Sequence, residues 1–252
     1  MASAMLLEAR KHIPLDGSET QVDYQILGDH LEESDQVRVL IVASSKKAFE
    51  SHLGLLREVD IRPTIVDVES LAVSNAYLAF NDLPEEGLVV LLDVGCRKTS
   101  ITLLGRKDMF FTRDVSVGGA VFTEDLMEKY GLKFLEAEKV KAEQGLEPDL
   151  ERVDAGEGGL RLASKNVLDR FGDEVNRTLR YYVKETGQSQ FNKFVLVGGG
   201  AAMKDLQAYL EKKFRADVEA FDPFAQMEMV EGNGDGHPAQ YTAAVGLAIR
   251  EH

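Results

Sequence analysis

Four stretches of the 252-residue sequence combine residue types that can do chemistry. Over residues 91–100 (LLDVGCRKTS) an acid, Asp93, closes an apolar run, Gly95 follows two residues later, and Thr99 and Ser100 stand where the chain turns back. Glycine lets a backbone approach a polyphosphate with its N–H groups turned inward, and a neighbouring carboxylate can hold a hydrated Mg²⁺ or orient a water. The same residues also make an ordinary β-turn, and this stretch alone does not choose between the two. Over residues 195–203 (VLVGGGAAM) an apolar strand runs into Gly198, Gly199 and Gly200 and then into small residues. A turn without side chains leaves room for a flat ring or a phosphate beside exposed N–H groups, although tight strand–helix packing asks for glycine as well. The spacing is neither GxGxxG nor that of a P-loop.

The third stretch is helical: Glu174, Arg177, Thr178 and Tyr181 share one side at spacings of three and four. An acid, a guanidinium and hydroxyls beside a glycine turn could clasp a purine and its ribose; a solvated ion pair worth a few tenths of a kcal/mol is the competing reading. The fourth, Gly118-Gly119 ahead of Glu124 and Asp125, serves a helix start without any catalysis. Cys96 lies in the first of these turns with no histidine near it in sequence, which gives a thiol nucleophile little support. His12, His30, His52, His237 and His252 show no shared spacing.

The elements that must hold these residues follow from periodicity. A helix over residues 3–13 stops at Pro14. Val22, Tyr24 and Ile26, then Val37, Val39 and Ile41, alternate with polar neighbours and predict a hairpin with a loose turn. Ser44 and Ser45 offer an N-cap for a helix marked by Phe49, Leu53 and Leu56, and a strand is expected over residues 64–68. Strand-like runs at residues 88–94, 99–104 and 108–115 predict an antiparallel meander whose first member, apolar on both faces, is central. Helices at 121–130 and 134–144 precede a glycine-rich, acidic loop over 145–159. Leu168, Phe171, Val175, Leu179 and Tyr182 mark the clearest helix, ending near Gly187. A strand at 194–197, a helix carrying Leu206 and Leu210, a short strand at 218–221, a turn over 231–238 and a small-residue helix over 239–250 complete the chain.

Composition narrows the class. Against 43 Asp+Glu stand 29 Lys+Arg, a net charge of -14, so a nucleic-acid backbone is an unfavourable partner. With 44% apolar and 29% charged residues the chain is an ordinary globular one, and its apolar runs are far shorter than the roughly 20 residues of a membrane span. A single cysteine allows no internal disulfide, which points to a reducing, cytoplasmic compartment.

Taken in order, these pieces resemble the type IV pilus assembly protein PilM family, kin to the cell-division protein FtsA within the actin/DnaK-type ATPase superfamily. The resemblance is carried by EARKHIP (8–14) followed by VDYQIL (22–27), by VLIVA (39–43), by LDVG (92–95), by FTRDV (111–115) with Gly118-Gly119, by VGGGA (197–201), by DPF (222–224) and by YTAAVGLA (241–248). It implies an α/β fold: an actin-like ATPase (ribonuclease H-like) second lobe over 69–252 with a helical subdomain at about 116–170, and a small α+β inserted domain over 1–68. The start of that domain is the remnant of an incomplete first lobe, without the Asp-x-Gly first phosphate loop. The implied ligands are ATP and Mg²⁺, with Asp93 on the metal side and no residue given a catalytic role. Asp93, Gly95, Cys96 and Thr99 would form the second phosphate loop with Gly118 and Gly119 beside it. Gly198, Gly199 and Gly200 would flank the adenosine, and Glu174 with Arg177 would lie against base and ribose. Lacking the opposing loop, the site forgoes several phosphate bonds of about 1.5–3 kcal/mol each, so weak nucleotide binding and negligible hydrolysis are expected.

The partner implied by the resemblance is the amino-terminal peptide of a PilN-type inner-membrane protein, together with other pilus platform proteins and self-association. The expected role is a scaffold at the cytoplasmic face of a bacterial inner membrane, touching the membrane through partners alone. Two rivals come from the same superfamily. A working ATPase or small-molecule kinase needs a catalytic acid and a pocket between lobes. An FtsA-like filament former is expected to carry a carboxy-terminal membrane helix, whereas residues 250–252 follow directly on a core-like helix.

Overall fold

The computed structural model describes residues 19–29, 37–106, 109–150, 166–228 and 236–250. The helix expected over 3–13, and most of the loop at 145–159 and the turn at 231–238, lie outside them. The chain divides into two compact units, Met1–Val66 and Asp67–His252.

In the first unit β1 (Thr20–Asp29) and β2 (Val37–Ser45) pair antiparallel, Thr20 opposite Ser45, with an irregularity between Ile26 and Gly28. The β-branched and aromatic residues that alternate along both strands suit a pleated, half-covered surface. Ser45 then caps α1 (Lys46–Glu58), its hydroxyl accepting the Ala48 N–H at 3.2 Å. None of the α1 residues is buried.

The strand expected over 64–68 does not form. The Asp67 carboxylate accepts the Val68 N–H at 2.8 Å, a local bond that competes with a ladder, and pairs with Arg250, far along the chain, at 3.2 Å. The chain enters α2 (Glu69–Phe80), a helix that the periodicity did not announce. Its buried residues, Ser70, Ala72, Val73, Ser74, Ala76 and Tyr77, are small or apolar on several sides, so no polar face interrupts the pattern.

The second unit is built on a five-stranded sheet in the order β5-β4-β3-β6-β7. β3 (Leu88–Val94), β4 (Thr99–Gly105) and β5 (Met109–Val115) form the antiparallel meander, while β6 (Phe191–Val197) runs parallel to β3 and β7 (Asp217–Ala220) parallel to β6. β3 is central and must be apolar on both faces because both are covered. Leu88, Val90, Leu92 and Val94 face the larger core with Phe122, Phe171 and Leu206. Val89 and Leu91 face a smaller one with Val73, Ala76, Tyr77 and Val245.

The larger face carries α3 (Gly119–Tyr130), α4 (Phe134–Glu143), α5 (Val167–Thr186) and α6 (Leu206–Phe214). α5 buries the stripe Leu168, Phe171, Val175, Leu179 and Tyr182, and ends at Gly187 in a left-handed cap. On the other face α2 meets α7 (Thr242–Ala248), where a side chain at Gly246 would strike the backbone of Ala72. Two apolar layers over one sheet therefore fix β3 and β6 side by side, and with them the two glycine turns at their ends.

Candidate functional site

Strand register makes the turns neighbours: Asp93 on β3 stands opposite Val197 on β6. In the first turn the Gly95 N–H reaches the Lys98 carbonyl at 3.0 Å, and the chain turns back into Thr99, whose buried hydroxyl donates to the Val117 carbonyl at 2.7 Å. The start of α3 docks onto this turn, with the Gly119 N–H on the Gly95 carbonyl and the Ala120 N–H on the Cys96 carbonyl, both at 2.8 Å. A Cβ at Gly118 would come within 2.6 Å of the Cys96 carbonyl, so contact, not dihedral freedom, requires glycine there.

The glycines of the second turn divide the work. Gly198 has φ 78 and lies so close to β3 that a side chain would run into the Asp93 carboxylate and the Val94 carbonyl. At Gly200 it would run into the Val94 side chain, whereas at Gly199 a Cβ would meet nothing within 4 Å. Gly198 and Gly200 thus seat the turn and Gly199 opens it. Among the described residues, no group accepts a hydrogen bond from the N–H of Cys96, Arg97, Gly199 or Gly200.

A cavity of about 300 Å³ lies at these turns. Gly95, Cys96, Gly119, Gly199 and Gly200 line it with backbone, Phe122 and Met203 give it an apolar base, and Phe134, Glu138 and Lys141 line it from α4. The Lys141 ammonium donates to Glu138 at 2.7 Å, to the Thr123 hydroxyl at 2.8 Å and to the Gly119 carbonyl at 3.2 Å, and Thr123 also hydrogen-bonds Glu138. Burial alone would raise the Glu138 pKa, but the bonds from Lys141 and Thr123 and the Lys141 charge outweigh it and hold the carboxyl below its usual range. Glu138 is therefore a fixed, ionised acceptor on the cavity wall.

Asp93 is half-buried and, sharing the strand face of Val89 and Leu91, belongs to the opposite side of the sheet end from that wall. Among the described residues none hydrogen-bonds or ion-pairs its carboxylate. Its pKa is pushed up to about 6, first by burial and then by the charge of Glu69, with Lys98 opposing and Asp114 adding. Lys98 itself bridges Glu69 and Asp114, each at 3.0 Å, and Ser100 donates to Asp114 at 2.7 Å. Asp114 would be raised by burial, yet the Ser100 and Lys98 hydrogen bonds hold it low.

Of the residues singled out in the sequence, Gly95, Cys96, Gly119, Gly199 and Gly200 line the cavity, Asp93 and Gly198 approach each other where the two turns meet without lining it, and Thr99 and Gly118 brace the first turn from behind. The structure does not bring Glu174 and Arg177 to this wall. They pair with each other at 2.9 Å on the exposed side of α5, with Arg177 62% exposed. The corresponding acid and base on α4, Glu138 and Lys141, were passed over in the sequence. With Phe134 they share the spacing i, i+4, i+7, a signal no stronger than that of Glu174 and Arg177. Among the described residues no three His, Cys, Asp or Glu side chains converge on a metal position, so any cation here would rely on Asp93 and on ligand oxygens. No described helix is long and apolar enough to cross a membrane.

A mixed sheet with helices on both faces and glycine turns closing a cavity at the ends of its central strands is the fold of the actin-like ATPases. Ethanolamine utilization protein EutJ from Carboxydothermus hydrogenoformans superposes with TM-score 0.52 and 17% identity, covering 78% of this chain and 59% of that one. MreB5 of Spiroplasma citri, solved bound to ADP, does so with TM-score 0.52 and 15% identity over 82% of this chain and 65% of its own. A chain of a PilM-PilN type IV pilus biogenesis complex is more similar, at TM-score 0.77 and 23% identity over 99% of this chain and 71% of that one. The family model of the type IV pilus assembly protein PilM matches residues 1–252, and the chain belongs to that family.

Proposed function

We propose that this chain is a nucleotide-binding scaffold of a type IV pilus platform that docks the amino-terminal tail of a PilN-type inner-membrane protein at the cytoplasmic face of the membrane. The observation that carries the nucleotide half is the meeting of two glycine turns, with N–H groups unclaimed among the described residues, at a cavity of about 300 Å³. Free N–H groups suit phosphate oxygens, an apolar base suits a ring, and the ionised Glu138 suits the hydroxyls of a ribose or an exocyclic amine. Asp93, without a partner among the described residues at the edge of the phosphate turn, fits a hydrated Mg²⁺, which would neutralise charge on the phosphates. The lysine contacts of Glu138 keep it from swinging out of line.

The partner half is supported by membership of the family and by the first unit, whose Leu55, Val59, Ile61 and Val66 are half or more exposed. Leu55 and Val59 stand one helical turn apart, and Arg57, Asp60 and Arg62 share a surface hollow beside them in sequence, two bases against one acid. A tail with apolar residues and an acid would bury the first set and pair with the second. The platform's other proteins, and further copies of this chain, are then reached while membrane attachment comes through the partner.

Calorimetry with MgATP and with a synthetic PilN-type amino-terminal peptide tests both halves. Saturable binding of each is expected, and Leu55→Asp with Val59→Asp should abolish peptide binding while MgATP binding persists. Failure of the peptide to bind in the presence and absence of MgATP would remove the partner half.

A further inference from the structure

We propose that Phe134 is the stacking platform for the base of the bound nucleotide, an inference that rests on the nucleotide reading above. Phe134 opens α4, lines the cavity and is 52% exposed, although burying a phenyl ring is favourable. Its neighbour Leu135 is 80% exposed but does not line the cavity. The two adjacent apolar side chains therefore stand in different surroundings, and of the two Phe134 is the one at the cavity. Glu138 and Lys141 follow it at i+4 and i+7 on the same side of the helix, so one wall runs from an aromatic ring to an ionised acceptor. Elsewhere on the cavity Gly119, Gly199 and Gly200 contribute backbone without side chains, and a Cβ at Gly199 would meet nothing within 4 Å.

A planar heteroaromatic ring fits such a slot better than a branched aliphatic or a sugar does. Its face covers the exposed phenyl while its edge, or the attached ribose, reaches Glu138. Stacking of this kind tolerates any purine, because every base has a π-face. Phe134 would thus make the site prefer nucleotides over bare polyphosphate without selecting adenine over guanine, and that selection would fall to the Glu138 end of the wall.

The chain contains no tryptophan, so Phe134→Trp in the full chain installs a single indole fluorophore at the proposed contact. Emission should change on titration with MgATP and with adenosine and stay constant with magnesium tripolyphosphate. Phe134→Ala should weaken MgATP about tenfold, the lower range of base stacking on an aromatic residue, and leave tripolyphosphate affinity unchanged. Leu135→Ala, the neighbouring control, should leave both unchanged, and Phe134→Tyr should restore MgATP affinity. Full MgATP affinity in Phe134→Ala, together with indole emission in Phe134→Trp that stays constant to MgATP saturation, would overturn the stacking role and leave the nucleotide reading standing. Absence of both MgATP and tripolyphosphate binding in the unsubstituted chain would sink that reading and the stacking role with it.

Discussion

Two helices of this protein carry the same short pattern, a glutamate three residues before a base, and use it in opposite ways. On α5, among the described residues, the side chains of Glu174 and Arg177 meet only each other, at the surface. On α4 Glu138 and Lys141 meet each other and also Thr123 and the Gly119 carbonyl, with the lysine side chain only 15% exposed. The difference lies in what the sheet places beneath each helix. α4 stands over the turn that follows β3, where carbonyls and hydroxyls are already gathered. α5 covers the middle of the sheet with its apolar stripe and leaves Glu174 and Arg177 on its exposed side. An i,i+3 pair is therefore uninformative until the tertiary neighbour is known.

The contrast extends to glycines, where the largest effect is expected. Gly198 and Gly187 both have positive φ, 78 and 73, but Gly198 has ψ 176, a region only glycine readily adopts, and Gly187 has ψ -11 in the left-handed helical region; a Cβ at Gly198 also collides with Asp93 and Val94 while one at Gly187 meets nothing within 4 Å. Gly198→Ala combines an unfavourable dihedral with forced movement of β3 and should cost roughly 2–5 kcal/mol. Gly187→Ala bears only the dihedral, about 1 kcal/mol. Urea midpoints of the two variants would measure the gap, and equal losses would show that the turn end is no more crowded than the cap of α5.

Next in size is Asp93. A carboxyl raised from 3.8 to about 6 by folding is stabilising to the folded state only while protonated. That contribution is complete below about pH 4 and is lost as pH rises through 6, a difference of about 3 kcal/mol. Asp93→Asn should accordingly be the more stable protein at pH 8, by up to about 3 kcal/mol, with the advantage closing between pH 6 and 4. Its affinity for MgATP should fall at the same time. Denaturant melts across that pH range, paired with calorimetry, would read both; a variant no more stable than its parent at pH 8 would show that the charge is already compensated. The turn then keeps an acid that burial disfavours, which is the stability penalty these melts would read.

Much of this arrangement was legible in the sequence because it is set locally. Alternation gave β1 and β2, the two-faced apolar run gave the central position of β3, and the glycine after Val197 marked a strand end. What was not legible depends on distant parts of the chain. α2 lacks a polar face because α7 and the sheet both cover it, and the β-branched run at 64–68 is diverted by an Asp67–Arg250 pair between residues far apart in sequence. Likewise, the acid–base pair that lines the cavity was a matter of which helix crosses the turn, and Glu138 and Glu174 look alike until that crossing exists.

Lys141→Met should have a smaller effect than either change at the turn ends. It removes the charge that neutralises Glu138 and the hydrogen bonds to Thr123 and the Gly119 carbonyl, although the Thr123 hydroxyl still donates to Gly119, for a loss of about 1–3 kcal/mol. Nucleotide affinity should fall with it, since Glu138 would lose its alignment. A Glu138→Gln partner substitution should recover part of the stability, because an amide no longer needs the ammonium.

The smallest effect, and the sharpest test of the contrast, is Arg177→Met. Its guanidinium is 62% exposed and its bidentate pairing with Glu174 is open to solvent and screened by salt, so the expected change is within about 0.5 kcal/mol. MgATP affinity should match that of the unsubstituted chain. The comparison with Lys141→Met is internal: same pattern, same chain, same loss of one positive charge, different neighbours. Were Arg177→Met to weaken MgATP as much as Lys141→Met does, the ligand would have to reach the outer side of α5, and the cavity beneath α4 would no longer account for it. Equal and negligible changes in both would say instead that Glu138 needs no lysine to hold it, leaving Phe134 and the glycine turns to carry recognition alone.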